Sequence, residues 1–345
     1  MKKLLAIILV VTMLAFAAVG CGNNNSSADK DGANKSTSDS AGEKTKVTFV
    51  LDWAPNTNHT GLYVAEKKGY FDEAGLDVDI IQPGEDTAEM MVGTNQAQFG
   101  ISFQDSMLPT VAGDNKMPIA AVAAVIQHNT SGIISVKGKG MDRPKGMEGH
   151  SYATWDLPIE QATLKQVVED DGGDFSKIEL IPSTVTDEVS ALQANQVDSI
   201  WIFYGWAGVA ADVAGLDTDY FAFKDINPVF DYYTPVIIGN TEWMSDNPDV
   251  AKAFLSAAKK GYEYAIENPD DAADILLEAV PELENGDLVK ESQRWLAAEY
   301  KADVDRWGYI DPERWNRFYE WINENKLFEA NVPENTGFTN EYLPE

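Results

Sequence analysis

The sequence predicts an α/β protein of two lobes, and three observations carry that prediction. From Val47 onward, short β-prone runs alternate with helix-like segments, the pattern of strands packed against crossover helices. The alternation is interrupted once, by the glycine-rich and basic stretch Lys137–Gly149, and then resumes as a second set. Beyond Pro248 the pattern changes again, to helix alone.

Val47–Leu51 opens the first set as a strand and runs into the loop Asp52-Trp53-Ala54-Pro55-Asn56-Thr57-Asn58-His59. Gly61–Lys68 reads as a helix stopped at Gly69, and Leu76–Ile81 as a strand stopped by Pro83-Gly84. Thr87–Thr94 is a helix, and Phe99–Ser102, Ile119–Val125 and Gly132–Val136 are strands. In the second set Ser151–Thr154, Ile178–Ile181 and Ser199–Phe203 are strands, separated by helices Ile159–Glu169 and Asp187–Ala194. Tyr232–Ile238 is apolar and β-prone, a natural return strand into the first lobe. The helices Pro248–Glu267, Pro269–Ala279, Leu288–Tyr300 and Pro312–Asn325 follow, three of them opening on Asn-Pro or Asp-Pro, which suits proline in a first turn. Trp315, Phe318, Tyr319 and Ile322 share one helix face and belong to the core. The first lobe is thus expected over residues 47–137 and the second over 138–236, with 237–345 returning to the first. A hinge is expected at two crossings, Val136–Gly149 and Tyr232–Ile238, so that the lobes close like a clamshell over a cleft.

Ligands favour domain interfaces and the carboxyl ends of strands. The residues at those ends here are Asp52, Trp53, Asn56, Asn58 and His59, then Gln104 and Asp105, then Trp155 and Asp156, then Tyr204 and Trp206, with Tyr232 and Tyr233 beside the return strand. Aromatic faces flanked by amides and carboxylates suit a flat polar heteroaromatic solute, which stacks by its faces and hydrogen-bonds by its edges. Trp201, within a strand, reads as core. Catalytic patterns are scarce. The histidines are His59, His128 and His150, none at metal-ligand spacing, and no phosphate loop or nucleophile elbow is present. No metal, cofactor or catalytic residue is expected. His59 either meets the ligand or holds its loop.

The chain carries 26 basic and 56 acidic residues, a net charge of −30. So acidic a surface repels phosphate backbones, which excludes nucleic acid as a partner, and leans towards a neutral or cationic ligand. At the N-terminus, Lys2 and Lys3 precede an apolar run from Leu4 to Val19, the pattern of a secretory signal over residues 1–20. Cys21, the one cysteine of the sequence, follows directly, and the run Ala18-Val19-Gly20-Cys21 resembles the lipobox of bacterial lipoproteins, where the thiol takes a diacylglycerol. Residues 21–46, rich in Asn, Ser, Gly, Asp, Lys and Thr, are expected to be a flexible tether. Removing the signal with its two lysines makes the charge −32.

The segment Leu51-Asp-Trp-Ala-Pro-Asn-Thr-Asn-His-Thr-Gly-Leu-Tyr-Val-Ala65 closely resembles the opening motif of thiamine-pyrimidine-type periplasmic binding proteins, as does Gly69-Tyr-Phe-Asp-Glu-Ala-Gly-Leu-Asp-Val78. Further matches are Pro83-Gly84-Glu85-Asp86, Gly100-Ile-Ser-Phe-Gln104 and Trp201-Ile-Phe-Tyr-Gly-Trp206, and the resemblance covers Val47 to about Phe328. It implies a type II periplasmic-binding-protein fold and an extracytoplasmic, lipid-anchored monomer that hands a thiamine-precursor pyrimidine to an ABC permease. Riboflavin, or a small sulfonate or nitrate, are the alternatives within the same fold. Members that bind the pyrimidine read Tyr-Gly-Trp-Glu-Gly, whereas this chain reads Tyr204-Gly205-Trp206-Ala207-Gly208. The lost carboxylate leaves Asp52, Asp105 or Asp156 to compensate. Fungal relatives are enzymes that consume an active-site histidine, at the position of His59, and carry a cysteine-rich segment where this chain has Phe230-Asp-Tyr-Tyr-Thr-Pro235. Without that segment the chain is expected to bind rather than catalyse.

Overall fold

Ten strands form two five-stranded mixed sheets in a computed structural model that describes Lys44–Glu345 apart from Thr184. The signal segment, Cys21 and nearly all of the tether lie outside the described residues. Within those residues no helix is long and apolar enough to cross a membrane.

The first sheet contains β1 (Thr45–Val50), β2 (Leu76–Ile81), β3 (Phe99–Ser102), β4 (Ile119–Ala124) and β10 (Val236–Asn240) in the order β2-β1-β3-β10-β4. The second contains β5 (Ser131–Val136), β6 (Ser151–Thr154), β7 (Glu179–Pro182), β8 (Ser199–Phe203) and β9 (Thr218–Ala222) in the order β7-β6-β8-β5-β9. The two orders are the same pattern. Each sheet has three parallel strands and one strand, β10 or β5, that pairs antiparallel on both sides. Those two strands are the ones reached by crossing from the other sheet, so the chain joins the lobes twice, at residues 125–130 and 223–235.

The first crossing therefore differs from the expected one. Gly132–Val136 is not the last strand of the first lobe, because Ser131–Ser135 pair with Phe203–Ser199 and Gly132–Val136 pair with Ala222–Thr218. Lys137–Gly149 is a loop inside the second lobe. Its glycines Gly138, Gly140 and Gly149 take φ of 86°, 83° and 82°, the left-handed region that tight turns use. The two real crossings run side by side: Val125 N–H donates to Pro235 O at 3.0 Å, and Asn129 Nδ2 donates to Phe230 O at 2.8 Å. His128 Nδ1 lies 2.7 Å from Asp231 Oδ2, and that bond, ahead of partial burial acting the other way, raises the imidazole above its usual pKa.

Packing of the first lobe explains where its site loop sits. Phe49, Phe71 and Phe99 stack on Phe254 of helix Pro248–Glu267, with centroids 5.8, 5.5 and 4.3 Å away. That helix crosses helix Thr60–Lys67 through Gly61 and Gly261, where a Cβ on Gly261 would collide with the Gly61 carbonyl. The close approach brings Tyr262 OH to donate to Asn58 O at 2.8 Å. The β4 edge is closed by the C-terminal segment through bridges from Ala121 to Phe338 and from Ala124 to Gly308, which removes an exposed strand edge. Helix Pro312–Glu324 buries Trp315, Phe318, Tyr319 and Ile322, as its spacing predicts.

Candidate functional site

The carboxyl ends of β1, β3, β6 and β8 face one cleft, and a cavity of about 340 Å³ opens there. Its walls are aromatic. Trp53 and Phe103 come from the first lobe, and Trp155, Trp201, Phe203 and Trp206 from the second. Trp53 and Trp155 are 58% and 47% exposed, so neither is held by the core and both are available to a ligand face. Trp201 is buried yet lines the cavity, tilted against Trp155 at 5.7 Å. Its Nε1–H has no acceptor among the described residues. Ile126, Thr130 and Pro235 of the crossings also line the cavity.

The loop after β1 is fixed from within. Asn56 caps the turn Thr57–His59 by accepting from Asn58 N–H at 2.9 Å, and its own N–H donates to His59 Nδ1 at 3.1 Å. With Nδ1 accepting, the ring proton sits on Nε2 and is donated to Asp52 Oδ1 at 2.7 Å. His59 is fully buried and does not line the cavity. It aims Asp52, which does.

Glu160 organises the loop after β6, a role the sequence reading missed. Its Oε1 accepts from Tyr152 OH at 2.7 Å and Trp155 N–H at 3.0 Å. Its Oε2 accepts from Thr154 Oγ1 and Leu157 N–H, both at 3.1 Å. The carboxylate is buried with both oxygens engaged, and burial, followed by the Glu160 charge, holds the Tyr152 hydroxyl far above its usual pKa. The signal was present: an acid three residues after Leu157, with Pro158 opening the helix Pro158–Asp170, is the helix-entry pattern.

After β8 the chain makes a single π turn, Tyr204–Gly208, a device that recurs at functional sites. It turns Trp206 and Ala207 into the cavity and Tyr204 away, where Tyr204 OH donates to Asp212 at 2.9 Å. The turn is also where the lobes touch. Thr57 Oγ1 donates to Ser292 Oγ at 2.6 Å, and Ser292 donates in turn to Gly205 O. Phe103 stacks on Phe203 with centroids 6.1 Å apart, and Tyr204 meets Trp295 at 5.3 Å.

Of the thirteen expected site residues, Asp52, Trp53, Asn56, Asn58, Trp155 and Trp206 line the cavity. The others support it or stand beside it. Gln104 is buried, bonding Trp315 O at 2.8 Å and Tyr233 N–H at 3.0 Å. Tyr232 stacks on Phe318 at 4.2 Å, and Tyr233 OH accepts from Asp311 N–H at 2.8 Å and from Arg314. Asp105 does not reach the cavity; burial pushes its carboxyl up to about 6 against a weak 3.5 Å bond from Tyr232 OH. Asp156 is exposed, with φ of 61°, and accepts from Gln161 at 2.9 Å. Neither acid takes up the place expected of a compensating carboxylate.

Glu188 does reach the cavity. It opens the short helix Glu188–Gln193, and burial, with Asp187 beside it, raises its carboxyl above the usual range. Asp52 and Glu188 are the charged residues of the lining; no Lys, Arg or His belongs to it. A second cavity of about 380 Å³ adjoins the first, sharing Asp52 and Phe103 and adding Glu85, Asp86 and Glu89. Among the described residues no group of three or more His, Cys, Asp or Glu is placed to hold a metal ion.

A family model described as NMT1/THI5 like matches residues 56–272. The chain is 30% identical over 305 residues to the formylaminopyrimidine-binding protein of Halalkalibacterium halodurans, spanning 85% of this chain and 89% of that one. It is 24% identical over 329 residues to the 4-amino-5-hydroxymethyl-2-methylpyrimidine phosphate synthase THI13 of Saccharomyces cerevisiae, spanning 86% and 88%. Among solved structures, the alkanesulfonate-binding protein SsuA of Xanthomonas axonopodis pv. citri, bound to MOPS, superposes with a TM-score of 0.63 at 10% identity, over 86% and 99% of the two chains. At that identity the last likeness concerns the fold, a two-lobed α/β architecture.

Proposed function

For a chain that belongs to the NMT1/THI5-like family, we propose a solute-binding role in which the interlobe cavity holds a thiamine-precursor pyrimidine for an ABC import permease. The observation that carries the reading is the lining itself: six aromatic side chains, two carboxylates and no cationic side chain. Such a site stacks a flat ring and rewards N–H donors at its edge. A sulfonate or nitrate would face Asp52 and Glu188 with nothing of opposite sign to pair with, at a cost that like-charge contacts in a desolvated site make large. The likeness to the formylaminopyrimidine-binding protein supports the same ligand class.

A synthase consuming its own histidine is disfavoured by His59. Both of its ring nitrogens are engaged, by Asn56 N–H and Asp52, and the ring is sealed from the cavity. A flavin-sized solute is the second reading, favoured by the adjoining cavity, which would extend the room available beyond one ring.

The N-terminal pattern supports export and a lipid anchor on Cys21, so the protein works outside the cytoplasm as a membrane-tethered monomer. Cys21→Ser should leave the fold unchanged and release the protein from the membrane fraction; retention there, together with a wild type that carries no diacylglycerol, would refute the anchor. The ligand test is a thermal-shift and calorimetry panel of formylaminopyrimidine, hydroxymethylpyrimidine, thiamine, riboflavin, taurine and nitrate. A pyrimidine present at a hundredfold over Kd should stabilise the protein by about 2.7 kcal/mol. Stabilisation by taurine or nitrate alone would overturn the reading.

A further inference from the structure

Two carboxylates line the aromatic cavity, and they are not equivalent. Asp52 already receives the Nε2–H of His59 at 2.7 Å, within a loop whose own bonds lock that geometry. Glu188 makes no hydrogen bond or ion pair to another described residue; its own backbone N–H is the one donor that meets the carboxyl. It sits at the first position of its helix, after Asp187, whose side chain is spent on Ser190 at 2.9 and 2.6 Å. A half-buried carboxyl with a single local donor has lost part of its hydration and keeps acceptor capacity that a further donor can fill. No cationic side chain of the lining can do so. A ligand seated in the cavity can supply that donor.

On the same lobe as Glu188, the residue that turns into the cavity beside Trp206 is Ala207, a methyl group with no polar atom to offer. The π turn therefore contributes a stacking face and no side-chain acceptor, and the second lobe's one carboxylate in the lining comes from the segment after β7. We infer that Glu188 is the specificity-determining residue of this cavity, accepting the exocyclic amino group of the pyrimidine. The assignment rests on the pyrimidine reading above and adds to it which edge of the ligand is read, and from which lobe. Asp52 reads from the first lobe and Glu188 from the second, so a solute bearing the amino group bridges the two lobes, and one lacking it does not.

The test pairs one protein change with one ligand change. Wild type and Glu188→Gln are titrated by calorimetry with 4-amino-5-hydroxymethyl-2-methylpyrimidine and with its analogue carrying methyl in place of the amino group. The wild type should prefer the amino compound at least tenfold, and Glu188→Gln should bind it at least tenfold more weakly while binding the methyl analogue as the wild type does. Thermal unfolding of the ligand-free variant should be no lower than that of the wild type, since Glu188 bonds no other described residue and the change removes the cost of desolvating its charge. If Glu188→Gln keeps the amino preference, the inference fails while the pyrimidine reading stands. A wild type that binds neither compound, nor formylaminopyrimidine tested beside them, instead overturns the pyrimidine reading and this assignment with it.

Discussion

Glu160→Gln is the change whose consequence the structure defines most closely. The native side chain accepts four hydrogen bonds, two from backbone N–H groups and two from hydroxyls. A glutamine keeps one acceptor oxygen and replaces the other with an amide NH2. The hydroxyl facing that amide, Tyr152 or Thr154, has lone pairs to receive it. The backbone N–H facing it has none, so either Trp155 or Leu157 is left with a buried donor opposite a donor. One orphaned buried group costs about 1–3 kcal/mol, and the bonds that survive lose their charge assistance, so the expected loss is roughly 2–4 kcal/mol. Urea unfolding followed by far-ultraviolet circular dichroism measures it, with the slope unchanged if the denatured state is unaffected. Binding should weaken as well, because Trp155 N–H is one of the two candidates for release and Trp155 forms a cavity wall. A variant within about 0.5 kcal/mol of wild type would mean that the loop is held by something other than Glu160, and the account of how Trp155 is positioned would fall.

Asp105 supplies a pH test. Its native carboxyl titrates near 6 against an ordinary 3.8, so the folded state holds the proton longer and stability falls as pH rises from about 4 to about 6. Asp105→Asn removes that cost: it should match wild type near pH 4 and be more stable by on the order of 1–3 kcal/mol above pH 6, and an equal offset at both pH values would contradict the assignment. Trp315→Ala should cost roughly 3–5 kcal/mol of stability through a core cavity, with melting as the measure. Trp206→Ala should instead spare most of the stability and weaken binding by roughly 1–3 kcal/mol, and unchanged affinity would place the stacking face elsewhere.

Elements with sharp local punctuation were legible. Leu76–Ile81, Phe99–Ser102, Ser151–Thr154 and Ser199–Phe203 have the bounds the sequence predicts, and helices Pro248–Glu267 and Pro269–Ala279 begin at the expected prolines. The crossing was misplaced because glycine marks turns and hinges alike; only the pairing of β5 with β8 and β9 separates the two uses. Thr218–Ala222 escaped notice as a strand, being a short, half-buried edge partner of β5. In the site, the motif residues were found but their division of labour was not. A loop sequence such as Asp52–His59 gives no sign of which side chains face out, because that depends on Asn56 turning His59 inward. Glu188 was invisible for a different reason: one acid among 56 has nothing local to distinguish it until the fold brings it beside four tryptophans.

The division between wall and prop also explains how one scaffold can change its ligand. The props, among them His59, Gln104, Glu160 and Tyr233, are buried and bonded to backbone, so replacing any of them perturbs a loop. Among the walls, Ala207 and Glu188 hold no loop in place by a side-chain bond among the described residues. A substitution at Glu188 changes the chemistry offered to the solute without breaking a bond to another described residue, whereas Ala207 also packs in the core of its lobe. In this chain the second lobe's acid in the lining comes from the segment after β7, while the π turn offers only Trp206, Ala207 and Gly205.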